Sequence, residues 1–298
     1  MEIRQLRYFA AVAGTRHFTQ AAEELHVAQS AISHQIAKFE RELGIELLSR
    51  SPRRVELTHA GEVVLARANR ILGEVAALEG EVAEIQGLMR GRVAFGGMVP
   101  MGPLDIGDLL GSFHERHPGV EVTLMEAVTR ELHALVHRDE LDLALSLAHP
   151  ESLYSDLASE EMFEEEFVVV VAPDHPLGRS ERPLPTAALE PYAFIGFYPG
   201  TITREAIDQH LASAGIRPRV TFESSLIDVS RRLASSGLGV AILPRSTVRE
   251  VGAPVVMRSL RPKLTRAVTL VWRRDRNLSP AASALLDHVR RAAAAARE

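Results

Sequence analysis

Cysteine is absent from all 298 residues. That removes disulfides, thiolate zinc sites and cysteine nucleophiles, and it suits a reducing compartment. No apolar run reaches the length needed to span a bilayer. The opening stretch MEIRQLRYFAAVAG places Glu2, Arg4 and Arg7 where a signal peptide would need an apolar core, and no cleavage site follows. A cytoplasmic chain without a membrane partner is expected. Any strong overall charge is lacking too: the net value is -5, and nucleic-acid steering depends on local rather than total charge. What is present is a globular composition, 46% hydrophobic and 24% charged, in a chain long enough for a small module and a larger core.

Residues 1–58 hold eight Lys and Arg against seven Asp and Glu, so position must decide their role. No acid occurs from His26 to Phe39, where Lys38 and His34 are the potential cations, and Arg50, Arg53 and Arg54 flank Ser51-Pro52. Both patches suit phosphate contact. Three helices are expected here. The first runs from Arg4 to Ala13 with Leu6, Phe9 and Ala13 inward. The second starts at Thr19, whose hydroxyl is the expected N-cap, and buries Ala22 and Leu25. In the third, Ile32, Ile36, Phe39 and Leu43 form the buried stripe, leaving Gln29, Ser30, Ser33, His34 and Gln35 outward. The arginine turn followed by Val55-Glu56-Leu57 reads as a small wing.

From Val64 onward, Val64, Ala68, Ile71, Val75, Leu78, Val82 and Ile85 recur at alternating spacings of four and three, uninterrupted by proline. That heptad seam implies a helix needing a partner, so a dimerising linker ending near Met89 to Gly91 is expected. Gly73, Gly80 and Gly87 share one face and would admit another element closely. Each costs about 1 kcal/mol of helix propensity relative to alanine.

Strands and helices alternate beyond Arg92. Strands are expected at 93–95, 120–125, 141–147, 167–172, 193–197, 219–222, 240–243 and 268–272, with helices near 204–214, 226–235 and 280–295. Such alternation argues parallel α/β sheets. The pattern loosens near Leu147-Ala148-His149-Pro150 and near Arg266, where the chain is expected to cross between two subdomains. The crevice between them is the default ligand site.

The stretch RQLRYFAAVAGTRHFTQAAEELHVAQSAISHQIAKFERELGIELLSRSPRRVELTHAG resembles the winged helix-turn-helix of LysR-type transcription regulators. HPGVEVTLMEAVTRELHALVHRDELDLALS, VVVAPDHPL and GLGVAILP are similar to landmarks of that family's effector domain. The resemblance implies an all-α winged helix-turn-helix at 1–58 and a dimerising linker helix at 59–90. An effector domain at 91–298 follows, of two Rossmann-like α/β subdomains in a periplasmic-binding-protein-like arrangement (91–161 with 267–298, and 162–266). It further implies a dimer through the linker, a tetramer of such dimers, double-stranded DNA and a small-molecule effector as partners, and a place for RNA polymerase contact. Thr19 and Gln20 would touch the DNA backbone and Gln29, Ser30, Ser33, His34 and Gln35 the major groove, with Lys38, Arg50, Arg53 and Arg54 on phosphates or the flanking minor groove.

Effector contacts are implied at Gly97, Met98, Val99, Pro100 and Met101, at Thr129, at Phe197, Tyr198, Thr201, Thr203 and Arg204, and at Ser224. Helix N-termini aimed into a crevice favour a carboxylate, and the methionines suggest an apolar or aromatic portion. Two departures stand out: Ala28-Gln29-Ser30 lacks the family's usual cap and first-turn proline, and His34 replaces a common arginine. A solute-binding transport protein would share the effector fold but needs a signal peptide. An enzyme needs a nucleophile and base in register, and none is found, so no catalytic residue and no cofactor is assigned.

Several features take plain readings. His133 and His137, four apart, and His114 and His117, three apart, are read as solvent-facing rather than zinc-binding for want of a third spaced ligand. Asp174-His175-Pro176 reads as a turn, and Gly237-Leu238-Gly239 as a tight helix-to-strand connection.

Overall fold

The computed structural model describes residues 1–51, 54–85, 89–97, 102–148, 154–249 and 252–296, without the side chains of 50, 51, 54, 83–85 and 249. Three helices open the chain: α1 Ile3–Thr15, α2 Phe18–Glu24 and α3 Gln29–Leu43. Glu2 and Gln5 form a reciprocal capping box on α1, the Glu2 N–H donating to Gln5 Oε1 at 2.7 Å. The cap of α2 is not Thr19 but His17, whose Nδ1 accepts from the Thr19 N–H. The cap lies two residues earlier than the hydroxyl signal implied, because His17 adopts the extended backbone that lets its ring reach forward two residues. α3 begins at Gln29 behind an extended Ala28 with no side-chain cap, and ends at Gly44 in the left-handed region.

Ile32, Ile36 and Phe39 are fully buried against Leu6, Phe9, Val12, Ala21 and Ala22. Phe9 and Phe39 meet edge to face at 6.1 Å. Leu43, the last member of the expected stripe, is exposed because it falls past the end of that core. The wing pairs β1 Leu48–Ser51 with β2 Arg54–Leu57 antiparallel, Leu48 opposite Leu57 and Ser51 opposite Arg54. Glu40 on α3 accepts from the Leu47 and Leu48 N–H groups, fixing the wing to the helix.

α4 His59–Ile85 is 27 residues long, about 40 Å at 1.5 Å per residue. Its start tucks against the wing: a Cβ at Gly61 would overlap the Leu47 carbonyl oxygen, so only glycine fits there. Val64, Ala68 and Leu72 join the N-terminal core. Further along the same seam Ile71, Leu78 and Val82 are exposed, Leu78 to 61%. The glycine face turns the other way, with Gly73 under Arg276 and Gly80 against Pro280; Gly87 lies outside the described residues.

The remainder is one sheet in the order β4-β3-β5-β11-β6-β10-β8-β9, with β7 Leu184–Pro185 beside β11. β3 Gly91–Gly97 runs parallel to β4 Val120–Glu126 and β5 Leu143–Leu147, and β8 Ala193–Gly196 runs parallel to β9 Arg219–Glu223 and β10 Val240–Pro244. These two parallel sets are joined by β6 Leu157–Val171 and β11 Val256–Arg273, antiparallel to each other and to their flanking strands. The sheet is therefore mixed, which corrects the all-parallel expectation. The two joining strands also extend well beyond the expected 167–172 and 268–272. Their missing halves, rich in Glu in β6 and in Arg and Lys in β11, carry a ladder on polar edges that hydrophobic runs do not reveal.

α5 Ile106–Arg116, α6 Thr129–His137 and α10 Pro280–Ala295 cover the first strand set, around Phe95, Phe113, Leu143, Leu270 and Leu285. α7 Ile202–Ser213, α8 Ile227–Ser235 and α9 Arg245–Arg249 cover the second, whose core includes Phe167, Val169, Leu211 and Val240. On β6, Phe163 belongs to the first core and Phe167 to the second; on β11, Val268 belongs to the first and Leu264 to the second. Between those pairs the chain passes from one half to the other.

Candidate functional site: an outward helix face and an inter-lobe cleft

With Ile32, Ile36 and Phe39 locked inward, α3 presents Gln29, Ser30 and His34 fully outward and Ser33, Gln35 and Lys38 half-buried, with Thr19 and Gln20 exposed beside them at the start of α2. Gln35 Oε1 is buried and has no hydrogen-bond partner among the described residues. Lys38 is not an idle cation: its Nζ lies 3.1 Å from Glu2 Oε1 and 3.8 Å from Glu42 Oε1. The hydrogen bond from Lys38 holds the Glu2 carboxyl below its usual range, and the chain's amino terminus does the same for Glu42. Such an exposed pair is screened and easily exchanged for a phosphate. Pro52 and Arg53 fall outside the described residues. The hairpin register places Arg50 opposite Val55 and Arg54 opposite Ser51, on the wing flanking α3.

A cavity of about 440 Å³ opens between the two halves of the sheet domain, within the range of small-ligand sites. Three helix N-termini line it: Val128 to Arg130 at α6, Thr201 to Thr203 at α7, and Leu226-Ile227 at α8. Each brings first-turn backbone N–H groups and the positive end of the helix dipole. The walls are apolar, from Leu147, Phe167, Phe197, Pro244 and Val268. Thr129 is buried and its Oγ1 accepts from the Leu147 N–H, so the start of α6 is pinned to β5. Thr201 caps α7, accepting from the Arg204 N–H and donating to the Tyr198 carbonyl.

Of the residues expected at the effector site, Thr129, Phe197, Thr201 and Thr203 line this cavity, whereas Gly97, Tyr198, Arg204 and Ser224 do not. Gly97 lies beneath it with its carbonyl accepting from Ala127, and Tyr198 points to solvent. Arg204 turns away, donating to the Phe197 carbonyl, Asp208 and Glu223. Ser224 closes on the backbone of Leu226, and its neighbour Ser225 takes the lining position. Met98, Val99, Pro100 and Met101 lie outside the described residues. Sequence reasoning missed Glu126, Arg130, Glu165, Leu226 and Ile227. Glu126 ends a parallel strand, a position where ligands gather, and that signal was legible; Glu165 was hidden with the unread half of β6.

The cleft's charges are arranged in layers. Arg130 on α6 reaches across to Glu205 on α7, with Nη2 3.1 and 3.0 Å from its two carboxylate oxygens. Below it the half-buried Arg266 donates to the Ile202 and Ala148 carbonyls, one on each side of the crossing, and desolvation depresses its pKa. Glu165 accepts from the Ser246 N–H at 3.0 Å; burial raises its pKa against the pull of the Ser246 and Arg245 hydrogen bonds.

At its far end α6 meets α4. Asn69 donates to the Arg138 carbonyl, and Arg70 faces Asp275 at 3.6 Å. Asp139, its side chain 4% exposed and its backbone left-handed, lies 3.5 Å from Arg276 and 3.6 Å from Arg273. Arg276 also contacts Asp142 at 3.3 Å and covers Gly73. A single nine-residue helix therefore touches the cleft with one end and the linker helix with the other.

His133 is buried, not solvent-facing: its Nε2 lies 2.8 Å from Ser146 Oγ, because the histidine sits on the α6 face packed against β5. His137 pairs with Asp156 at 2.9 Å and stacks on Tyr154. Among the described residues no group of three His, Asp or Glu side chains is placed to hold a metal. His175 caps a turn by accepting from the Leu177 N–H. Gly237 has positive φ, and Gly239 passes so near the Ala193 carbonyl that a Cβ would stand 2.8 Å from it.

Comparison with known proteins places both regions. Residues 3–62 match the family described as bacterial regulatory helix-turn-helix protein, lysR family, and residues 86–294 match the LysR substrate binding domain. The transcriptional dual regulator GltC of Bacillus subtilis is 32% identical over 97% of this chain and 96% of its own length. A hydrogen peroxide-inducible genes activator of Escherichia coli O157:H7 is 31% identical over 92% of this chain and 90% of its own. Among solved structures, a cysteine-to-aspartate variant of full-length OxyR from Pseudomonas aeruginosa superposes with a TM-score of 0.80 at 25% identity, covering 98% of this chain and 94% of that one.

Proposed function

Because the chain belongs to the LysR family of bacterial helix-turn-helix transcription regulators, we propose how its own residues carry out ligand-responsive DNA binding. α3 enters the major groove with Gln29, Ser30, Ser33, His34 and Gln35 toward base edges, while Thr19, Gln20 and the wing arginines hold phosphates. The outward face of α3 from Gln29 to Lys38, polar and free of acids while the opposite face is buried, carries this reading. Lys38 exchanges Glu2 for phosphate as DNA arrives.

The division into 1–58, 59–90 and 91–298 follows, with the sheet domain split as 91–161 with 267–298 and 162–266. The exposed Leu78 and Val82 seam of α4 pairs with a second copy, and two such dimers assemble into a tetramer. The chain works in the cytoplasm, where it meets RNA polymerase at its promoters. No helix among the described residues is long and apolar enough to cross a membrane.

The effector lies between the lobes with an anionic group toward the N-termini of α6, α7 and α8 and an apolar portion on Phe167 and Phe197. A ligand switches the protein only by the difference in its affinity for two arrangements. Here that difference arises as the lobes close and α6 is pushed or drawn, its far end resting on α4 through Asn69 and the Asp139 cluster. Hydrogen peroxide, named for one relative, does not fit a thiol mechanism in this chain, which holds no cysteine to oxidise.

The test is footprinting of the full chain on the DNA upstream of its own gene, with and without small carboxylates. Protection of half-sites one helical turn apart supports the reading. Absence of any sequence-specific protection refutes it.

A further inference from the structure

Resting on the reading of the inter-lobe cavity as the effector site, we propose that the effector is a zwitterion. It carries a carboxylate and a cationic nitrogen on an apolar body, and Glu165 is the residue that selects for the nitrogen. Charge in the cavity wall is unbalanced. Its charged side chains among the described residues are Glu126, Arg130 and Glu165. Arg130 holds both carboxylate oxygens of Glu205, which leaves two carboxylates facing the cavity without a matching cation in its lining. Neighbouring guanidinium groups are engaged elsewhere: Arg266 with the Ile202 and Ala148 carbonyls, and Arg245 with Glu166 and Ser259.

Glu165 is the more telling of the two because it is only 6% exposed. A carboxylate taken from water needs compensating partners. Its Oε1 has the Ser246 N–H at 3.0 Å, and the Arg245 N–H hydrogen-bonds the carboxyl as well. Gly102 passes so close to Oε2 that a Cβ there would stand 2.8 Å away, so the backbone itself shapes this side of the wall. An amide would accept from Ser246 equally well. The extra feature that glutamate brings is negative charge at an apolar wall, and burial has already lifted its carboxyl above the usual range. A cationic nitrogen beside it favours the ionised form and forms a charge-assisted hydrogen bond.

The opposite sign comes from the backbone. The N-termini of α6, α7 and α8 line the same cavity and favour an anion. A molecule with a carboxylate alone would meet those helix ends but bring like charge toward Glu165. An amine alone would satisfy Glu165 and leave the helix ends unmatched. Between the poles Leu147, Phe167, Phe197 and Val268 offer an apolar surface, and about 440 Å³ admits an amino-acid-sized body with room for a side chain.

The test is calorimetric titration of the full chain with matched triplets. These are phenylalanine, phenylpropanoate and phenethylamine; leucine, isocaproate and isoamylamine; and δ-aminovalerate, valerate and pentylamine. In at least one triplet the zwitterion is expected to bind tightest, and Glu165→Gln, which keeps an acceptor for Ser246, is expected to weaken that zwitterion roughly tenfold and bring it level with the acid. The proposal is overturned if the acid equals or exceeds the zwitterion in every triplet. It is also overturned if no zwitterion binds at about 10 mM, or if Glu165→Gln leaves the preference intact. Leu226→Trp and Val128→Trp, both at exposed positions on the cavity rim, separate this from the underlying reading. If they block an acid that ignores Glu165→Gln, the cavity stands and the zwitterion fails. If they leave binding of every titrated compound untouched, the cavity is not the effector site.

Discussion

Replacing Gly73 by alanine sets two opposing effects against each other and so tests the route from cleft to linker. Gly73 lies in the middle of α4, where alanine is favoured by about 1 kcal/mol. The added methyl would overlap Arg276 Nη2 and stand 2.6 Å from its Cζ, so the guanidinium must move. The Arg276 side chain is 7% exposed and holds Asp139 and Asp142, and of its ion pairs among the described residues Asp139 would keep Arg273 at 3.6 Å. Losing a charged hydrogen bond to a buried acid costs about 1.5–3 kcal/mol, and the penalty falls on the contact between α4 and the end of α6 rather than on α4 itself.

The expected outcome is a net loss of about 0.5–2 kcal/mol in overall stability, concentrated at a loosened junction. Amides of Arg138 and Asp139, which close the last turn of α6, should exchange roughly tenfold faster, as about 1.4 kcal/mol requires. Operator affinity should lose most of its response to effector. Gly14→Ala is the control, since Gly14 is also helical, in α1, and nothing lies within 4 Å of its Cβ position. Hydrogen exchange read by mass spectrometry decides the matter. If Gly73→Ala behaves like Gly14→Ala, with no change at α6 and a full effector response, the proposed transmission through α6 is wrong.

Other outcomes follow from the same geometry. Leu78→Asp with Val82→Asp puts charge into the exposed seam of α4 and should lower the sedimentation coefficient to that of a smaller assembly without lowering the melting temperature of the N-terminal core. Ile36→Ala leaves a void beside Phe9 and Phe39 and should cost about 2–5 kcal/mol in chemical denaturation of that core. Glu165 has a raised pKa through burial, so the folded chain binds its proton more tightly than the unfolded one. Its contribution to stability is present at acid pH and is lost as pH rises from the ordinary carboxylate range through the raised value. Glu165→Gln should therefore raise the melting temperature at neutral pH and change it little at about pH 4.

The helical module was legible because its signals are local and repeat at the helical period: Ile32, Ile36 and Phe39 point inward as their spacing requires. The heptad of α4 was legible too, but the sequence could not show that one seam serves two purposes, Val64 and Ala68 packing on their own domain while Leu78 and Val82 stay exposed. Non-local pairing was the harder part. β6 and β11 gain their strand character from each other over positions such as Glu164 opposite Ala267 and Glu160 opposite Leu270, and no hydrophobic alternation announces it. Glu165 was lost with that half-strand. Thr19 misled because a hydroxyl at a helix start looks like a cap wherever it falls, while His17, two residues earlier, performs the capping. His133 misled because burial beside Ser146 depends on how α6 lies on β5.

The central claim, that the outward face of α3 reads duplex DNA, is tested most directly by fluorescence anisotropy of the full chain on its footprinted upstream site with excess non-specific competitor. Wild-type chain should bind, and Ser30→Glu together with Ser33→Glu, which sets acids on that face without touching Ile32 or Ile36, should abolish specific binding while the melting curve stays in place. Unaltered specific affinity in the folded double variant would contradict the account.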